Sequence, residues 1–67
     1  MKETVNEFIN RIGVTENFTV RVEANDMLPK TGNPETIIDL VGDMYVIKSD
    51  FSEINNNRIT VVATYHA

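Results

Sequence analysis

The absence of cysteine from a chain of only 67 residues most constrains its fold, because neither a disulfide nor a thiolate zinc site can reinforce it. A chain of this length buries about 60% of the surface that its unfolded form exposes, which is enough for one thin hydrophobic core. We therefore expect a single domain over residues 1–67. Small secreted domains are usually rich in disulfides, so the expected location is the cytoplasm.

The N-terminal segment has the residue spacing of an amphipathic helix. Its apolar side chains recur at i, i+3, i+4 and i+7, and they are Val5, Phe8, Ile9 and Ile12. Gly13 follows the last of them, and a glycine in this place adopts the left-handed conformation that ends many helices. The pattern predicts a helix over residues 3–12 that packs its apolar stripe on another element.

Alternation of apolar and polar side chains predicts two strands, one over residues 18–24 and one over residues 58–65. The segment after the first strand, residues 25–34, contains two prolines, Gly32 and several Asn and Asp residues. These residue types favour turns and interrupt the hydrogen bonding of a sheet. The segment is therefore predicted to be an exposed loop.

Two further strands are predicted on either side of Gly42 and Asp43. Residues 36–41 and 44–48 are rich in β-branched and aromatic side chains, and the glycine favours a two-residue type II′ turn. Pairing outward from that turn places one set of side chains on the core side: Ile38, Leu40, Tyr45 and Ile47. The opposite side carries Ile37, Val41, Met44 and Val46, which would make it unusually apolar for a face exposed to solvent.

The segment from Ser49 to Ile54 has Asp50 and Glu53 at the spacing of a capping box, which predicts one or two helical turns. Together these elements predict an α+β fold. An N-terminal helix packs on a four-stranded, mainly antiparallel sheet, with a short helical turn before the last strand. The arrangement is a two-layer, open-faced sandwich.

The sequence offers few groups for catalysis. His66 is the sole histidine, it lies near the end of the sequence, and there is no cysteine or second histidine to complete a triad or a metal site. The carboxylates are spread along the chain, and Asp39 is explained by a cross-strand ion pair with Lys48. We expect no catalytic residue, no metal site and no cofactor, so the protein is not predicted to be an enzyme.

Charge and hydropathy exclude two classes of partner. The formal net charge of −4 gives no attraction toward phosphate backbones, so we expect no nucleic-acid binding. No run of residues approaches the roughly 20 apolar positions that a bilayer span requires, so we expect no membrane insertion.

Residues 39–49, followed by Ile54 and then residues 59–63, resemble the second half of the histidine phosphocarrier family of the bacterial sugar phosphotransferase system. The resemblance covers residues 35–64. It implies an open-faced sandwich and matches Ser49 to the regulatory serine of that family. The phospho-accepting histidine should follow the first strand, but residues 25–34 contain no histidine. The resemblance therefore implies a domain without phosphoryl transfer.

The leading functional hypothesis is a small, non-enzymatic interaction or regulatory module that binds another protein and forms a homodimer. The predicted interface is the apolar outer side of the sheet: Ile37, Val41, Met44, Val46 and Val62. One alternative is an acidic inhibitor or decoy of the kind carried by phages and mobile elements, which would occupy a basic site on its target. The other is a degenerate phosphocarrier-like domain, with Ser49 as its regulatory site.

Overall fold

The computed structural model describes residues 2–65, which form two helices and one four-stranded sheet. The elements in chain order are α1 (Val5–Ile12), β1 (Thr19–Ala24), β2 (Met27–Gly32), α2 (Pro34–Val41), β3 (Tyr45–Asp50) and β4 (Arg58–Thr64), with a 3₁₀ turn at Ile54–Asn56 before β4. The strand order is β2-β1-β4-β3. The α+β class, the N-terminal helix and a sheet of four strands are thus as predicted, although only three of these strands, β1, β3 and β4, are ones that were predicted.

The α1 helix is specified by local interactions at both ends. Thr4 is its N-cap, and a reciprocal capping box forms with Glu7: the Thr4 hydroxyl accepts from the Glu7 amide at 3.1 Å, and the Glu7 carboxylate accepts from the Thr4 amide at 2.9 Å. Gly13 ends the helix in the left-handed region, at φ 67° and ψ 31°. The predicted helix and its glycine stop are confirmed.

The two central strands, β1 and β4, lie parallel to each other and carry most of the sheet's core. Val20 and Val22 of β1 are buried, as are Ile59, Val61 and Ala63 of β4. The intervening residues point away from the helices, so each strand has one buried and one accessible side. Both strand predictions are confirmed.

Residues 25–34 are mostly exposed, as predicted, but the prediction that they form a loop is wrong, because six of them form β2. β2 pairs antiparallel with β1 through a tight connection at Asn25 and Asp26. It lies at the edge of the sheet, and an edge strand needs hydrogen bonds on one side only. Pro29, which has no amide hydrogen, is therefore compatible with a strand at this place.

The predicted strand over residues 36–41 is also wrong, because this segment forms the α2 helix. Asn33 is its N-cap, with its side-chain oxygen accepting from the Thr36 amide at 2.8 Å, and Pro34 occupies the first turn. Proline is favoured there because the first amides of a helix have no intrahelical partner. Asn33 and Pro34, whose residue types also favour turns, are thus the start signal of a helix.

The predicted type II′ turn at Gly42 does not form. Gly42 is the C-cap of α2 with a right-handed φ of −61°, and it is glycine because of close packing. A Cβ atom added to it would lie 2.4 Å from the carbonyl oxygen of Ile38. The backbone of the preceding helical turn therefore excludes any larger residue.

Replacing a strand with a helix reverses which side chains are buried. Ile37, Val41 and Met44, which were predicted on the outer face, are at most 2% exposed. Leu40 and Ile47, which were predicted in the core, are 56% and 59% exposed. The hydrophobic core lies between the helices and one face of the sheet: Val5, Phe8, Ile9, Val20, Val22, Ile37, Val41, Met44, Ile59, Val61 and Ala63.

The short turn before β4 forms, but later in the sequence than predicted. β3 extends to Asp50, whose carboxylate accepts from the Ser52 amide at 2.8 Å, and the 3₁₀ turn follows at Ile54–Asn56. Asn57 ends this turn at φ 58°. Within residues 2–65, neither helix is long and apolar enough to cross a membrane.

Candidate interaction surfaces

Among residues 2–65, no helix lies on one side of the sheet, and we refer to this side as the open face. The strand register assigns eleven side chains to this face: Thr19, Arg21, Glu23, Thr31, Tyr45, Lys48, Asp50, Arg58, Thr60, Val62 and Thr64. Both helices pack against the opposite side, where they also contact each other. The open face is therefore the largest part of the sheet that the domain does not cover with its own elements.

The charges of the open face balance each other. Arg21 donates to Glu23 at 2.8 Å on the same strand, and a guanidinium nitrogen of Arg58 lies 3.8 Å from a carboxylate oxygen of Glu53 at the edge of the face. Lys48 and Asp50 add one charge of each sign. A shallow cleft of about 410 Å³ lies between the two arginines and is bordered by threonines of three strands.

The remaining surface carries the whole formal net charge of −4. Outside the open face and Glu53, the chain has three basic residues, which are Lys2, Arg11 and Lys30. It has seven acidic residues there: Glu3, Glu7, Glu16, Asp26, Glu35, Asp39 and Asp43. Five of these seven lie on or beside the helices: Glu3, Glu7, Glu16, Glu35 and Asp39. Asp26 instead borders the open face, because it lines a cleft with Val62 and Thr64.

Both edges of the sheet carry features that oppose pairing with another strand. β2 presents Pro29 and Lys30 along its outer edge. The register of β3 shifts between Val46 and Lys48, and the first half of its edge is covered because the Val46 amide donates to the Glu3 carbonyl at 2.8 Å. The faces of the domain, rather than its edges, are thus the better candidates for binding.

An aromatic and charged cluster holds the N-terminal segment against β3. The rings of Phe8 and Phe51 stack with their centroids 6.1 Å apart, and the Arg11 guanidinium lies 5.4 Å from the Phe8 centroid. Arg11 also forms a bidentate pair with Glu3 at 2.7 and 3.0 Å. This hydrogen bonding lowers the pKa of the Glu3 carboxyl and raises the pKa of Arg11.

The structure does not bring the five predicted interface residues together. Ile37, Val41 and Met44 belong to the domain's own core, so the predicted apolar outer face does not exist. Val46 is half-buried and pairs with Ala63 on the helical side, whereas Val62 is half-buried on the open face. The error follows from the strand prediction for residues 36–41, since a helix places Ile37 and Val41 on the side opposite Leu40.

The residues singled out for chemistry also lie apart. Asp39 is exposed on α2, and no ion pair with Lys48 is formed in the structure of residues 2–65. Ser49 is exposed on β3. The same range contains no group of three or more acidic or histidine side chains that could hold a metal ion, and His66 lies outside the described residues. The pKa of Asp50 is lowered, chiefly because it accepts a hydrogen bond from the Ser52 amide.

Sequence reasoning missed the segregation of charge, although part of the signal was present. Arg21 and Glu23 alternate with buried valines, so their common face could be derived from β1 alone. Their position relative to Arg58 and Lys48 depends on the pairing of β4 with both β1 and β3. That pairing has no local signature.

The fold and these surfaces define a two-layer α+β domain with one neutral sheet face and one acidic helical layer. No family model, curated protein or solved structure matches the chain. The resemblance of residues 35–64 to the histidine phosphocarrier family therefore stays a prediction.

Proposed function

We propose that this chain is a non-enzymatic protein-interaction module that forms a homodimer through the open face of its sheet. The observation that supports this proposal is the charge balance of that face within a chain of net charge −4. Two copies that approach through their helical sides bring excess negative charge together, since Glu7, Glu16, Glu35 and Asp39 lie there. Two copies that approach through the open face do not.

The composition of the open face suits contact with a second sheet. Threonine and valine are compact and rigid at χ1, so they lose little side-chain entropy when they are covered. Sheets pack face to face at about 10 Å, with side chains of the two faces interdigitating. Val62 lies at the centre of the face, between Thr60 and Thr64 along β4 and beside Lys48 on β3.

The size of the face limits the area that a dimer can bury. Four strands at about 4.8 Å spacing and about 20 Å length give a patch of roughly 300 Å² in projection. Contacts of this size belong to the weak or transient class of interfaces. We therefore expect a dimer whose fraction rises with concentration between the low micromolar and millimolar ranges.

Sedimentation equilibrium over that concentration range tests the proposal. Val62→Lys should keep the protein monomeric, because it places a long charged side chain at the centre of the contact. Leu40→Lys on α2 is the matched control, since it introduces the same side chain at an exposed position on the helical side, and it should leave dimerisation unchanged. A wild-type protein that stays monomeric at millimolar concentration, or equal effects of the two variants, would contradict the proposal.

A second candidate function is favoured by the excess of acidic residues outside the open face. This acidic surface supports the proposal of an inhibitor or decoy that occupies a basic site on another protein. Binding of that kind should weaken steeply when salt is raised, because exposed charges are screened. Dimerisation through the neutral face should respond little to salt. Measuring the dimerisation constant and the affinity for a basic partner at increasing salt therefore distinguishes the two functions.

A further inference from the structure

The two helices leave a groove between the C-terminal half of α1 and the N-terminal half of α2. The helices run in opposite directions, since the Asn6 amide at the start of α1 donates to the Gly42 carbonyl at the end of α2. The groove has a volume of about 330 Å³. Its floor is apolar and consists of Ile9, Val14, Pro34 and Ile38, of which Val14 and Ile38 are half-buried.

The rim of this groove is acidic. Glu16 and Glu35 lie on it, together with the neutral Asn10. None of the residues that line the groove within the described range is basic. Arg11, the nearest base in the sequence, is held on the other flank of α1 by Glu3 and by the ring of Phe8.

The helix dipoles do not change this charge. The groove receives the C-terminal end of α1 and the N-terminal end of α2, whose partial charges are opposite in sign. The two carboxylates of the rim therefore set the local potential.

We propose that this groove docks a cationic amphipathic segment of another protein. Apolar side chains of that segment lie on the floor, while its Lys or Arg side chains pair with Glu16 and Glu35. The proposal rests on the second candidate function and names the chemistry of its partner. A second copy of this chain is the wrong occupant, because its own helical side is acidic and would repel the rim.

The probe for this proposal is a synthetic peptide of leucine and lysine, with leucine at i, i+3, i+4 and i+7. A scrambled peptide of the same composition is its control, since it has the same charge without the apolar stripe. Binding is followed by the backbone amide shifts of ¹⁵N-labelled protein. We expect the amphipathic peptide to shift residues around Val14 and Ile38, and the scrambled peptide to bind more weakly.

Two double variants with the same change of net charge locate the site. Glu16→Gln with Glu35→Gln should weaken peptide binding about fivefold, as expected for the loss of two exposed ion pairs. Glu23→Gln with Glu53→Gln removes two carboxylates at the open face instead and should leave the affinity unchanged. Equal binding of the two peptides, shifts centred on the open face, or equal effects of the two double variants would each overturn the groove assignment.

The peptide test does not depend on the homodimer, and it distinguishes the groove assignment from the acidic-decoy function. Val62→Lys removes the proposed dimer contact without touching the groove, so peptide binding should persist in that variant. Binding of the scrambled peptide with equal affinity and strong salt dependence would support an acidic decoy and refute the groove. If neither peptide binds at low salt, both the groove assignment and the acidic-decoy function are refuted.

Discussion

Ile37 provides the sharpest test of the α2 helix, because its burial depends on the secondary structure of residues 34–41. In the structure Ile37 is 0% exposed and belongs to the core, whereas Leu40 on the same helix is 56% exposed. A strand with the predicted hairpin register would instead bury Leu40 and place Ile37 on the outer side of the sheet. Substitutions at the two positions therefore distinguish a helix from a strand.

The magnitude follows from the size of the cavity that each substitution leaves. Ile37→Val removes one buried methylene and should lower the free energy of unfolding by roughly 0.5–1.5 kcal/mol, and Ile37→Ala by roughly 2–5 kcal/mol. Leu40→Ala removes an exposed side chain and should change the free energy of unfolding by about 0.5 kcal/mol or less. Because a domain of this size has a total stability of only about 5 kcal/mol, Ile37→Ala leaves it close to unfolded.

Urea denaturation followed by circular dichroism measures these differences. Ile37→Val keeps the protein folded, so its unfolding midpoint can be compared with that of wild type at equal slope. The expected order of midpoints is Leu40→Ala close to wild type, then Ile37→Val, then Ile37→Ala. A tolerated Ile37→Ala together with a costly Leu40→Ala would refute the helix and restore the predicted hairpin.

Three further predictions concern α1 and its contacts. Phe8→Ala should destabilise the fold by roughly 3–5 kcal/mol, since this buried ring stacks on Phe51; an unchanged melting temperature would show that the helix is not part of the core. Thr4→Ala removes the capping box and should lower the free energy of unfolding by about 1 kcal/mol, as measured by urea denaturation. An unchanged free energy of unfolding would mean that the cap is not formed. Because Arg11 lowers the pKa of Glu3 in the folded state, that carboxylate stabilises the fold above its unfolded pKa and ceases to do so as pH falls. The difference in urea midpoint between wild type and Glu3→Gln should thus shrink on acidification from neutral pH, and a difference that grows would contradict the ion pair.

The sequence by itself determined the elements whose signals are local. The capping box of Thr4 and Glu7, the apolar stripe of α1 and Gly13 act within one or two helical turns, so they specify α1 without reference to other elements. The alternation in β1 and β4 likewise identifies two strands with one buried side. Asn33 and Pro34 were an equally local start signal for α2, but these residue types favour turns as well, so their interpretation was ambiguous.

Only the tertiary structure decided the state of residues 27–41 and the assembly of the sheet. Pro29 is compatible with a strand because β2 is at the edge, and a position in the sheet order is not a property of β2 alone. Ile37 and Ile38 are apolar neighbours that fit a strand or a helix equally well until β1 and β2 provide the surface on which α2 packs. The neutral open face arises in the same way, because side chains from distant parts of the sequence share one face only once the parallel pairing of β1 with β4 has formed. Contacts between residues far apart in the chain have no periodicity of their own, and for that reason the surfaces proposed here could be recognised only in the folded molecule.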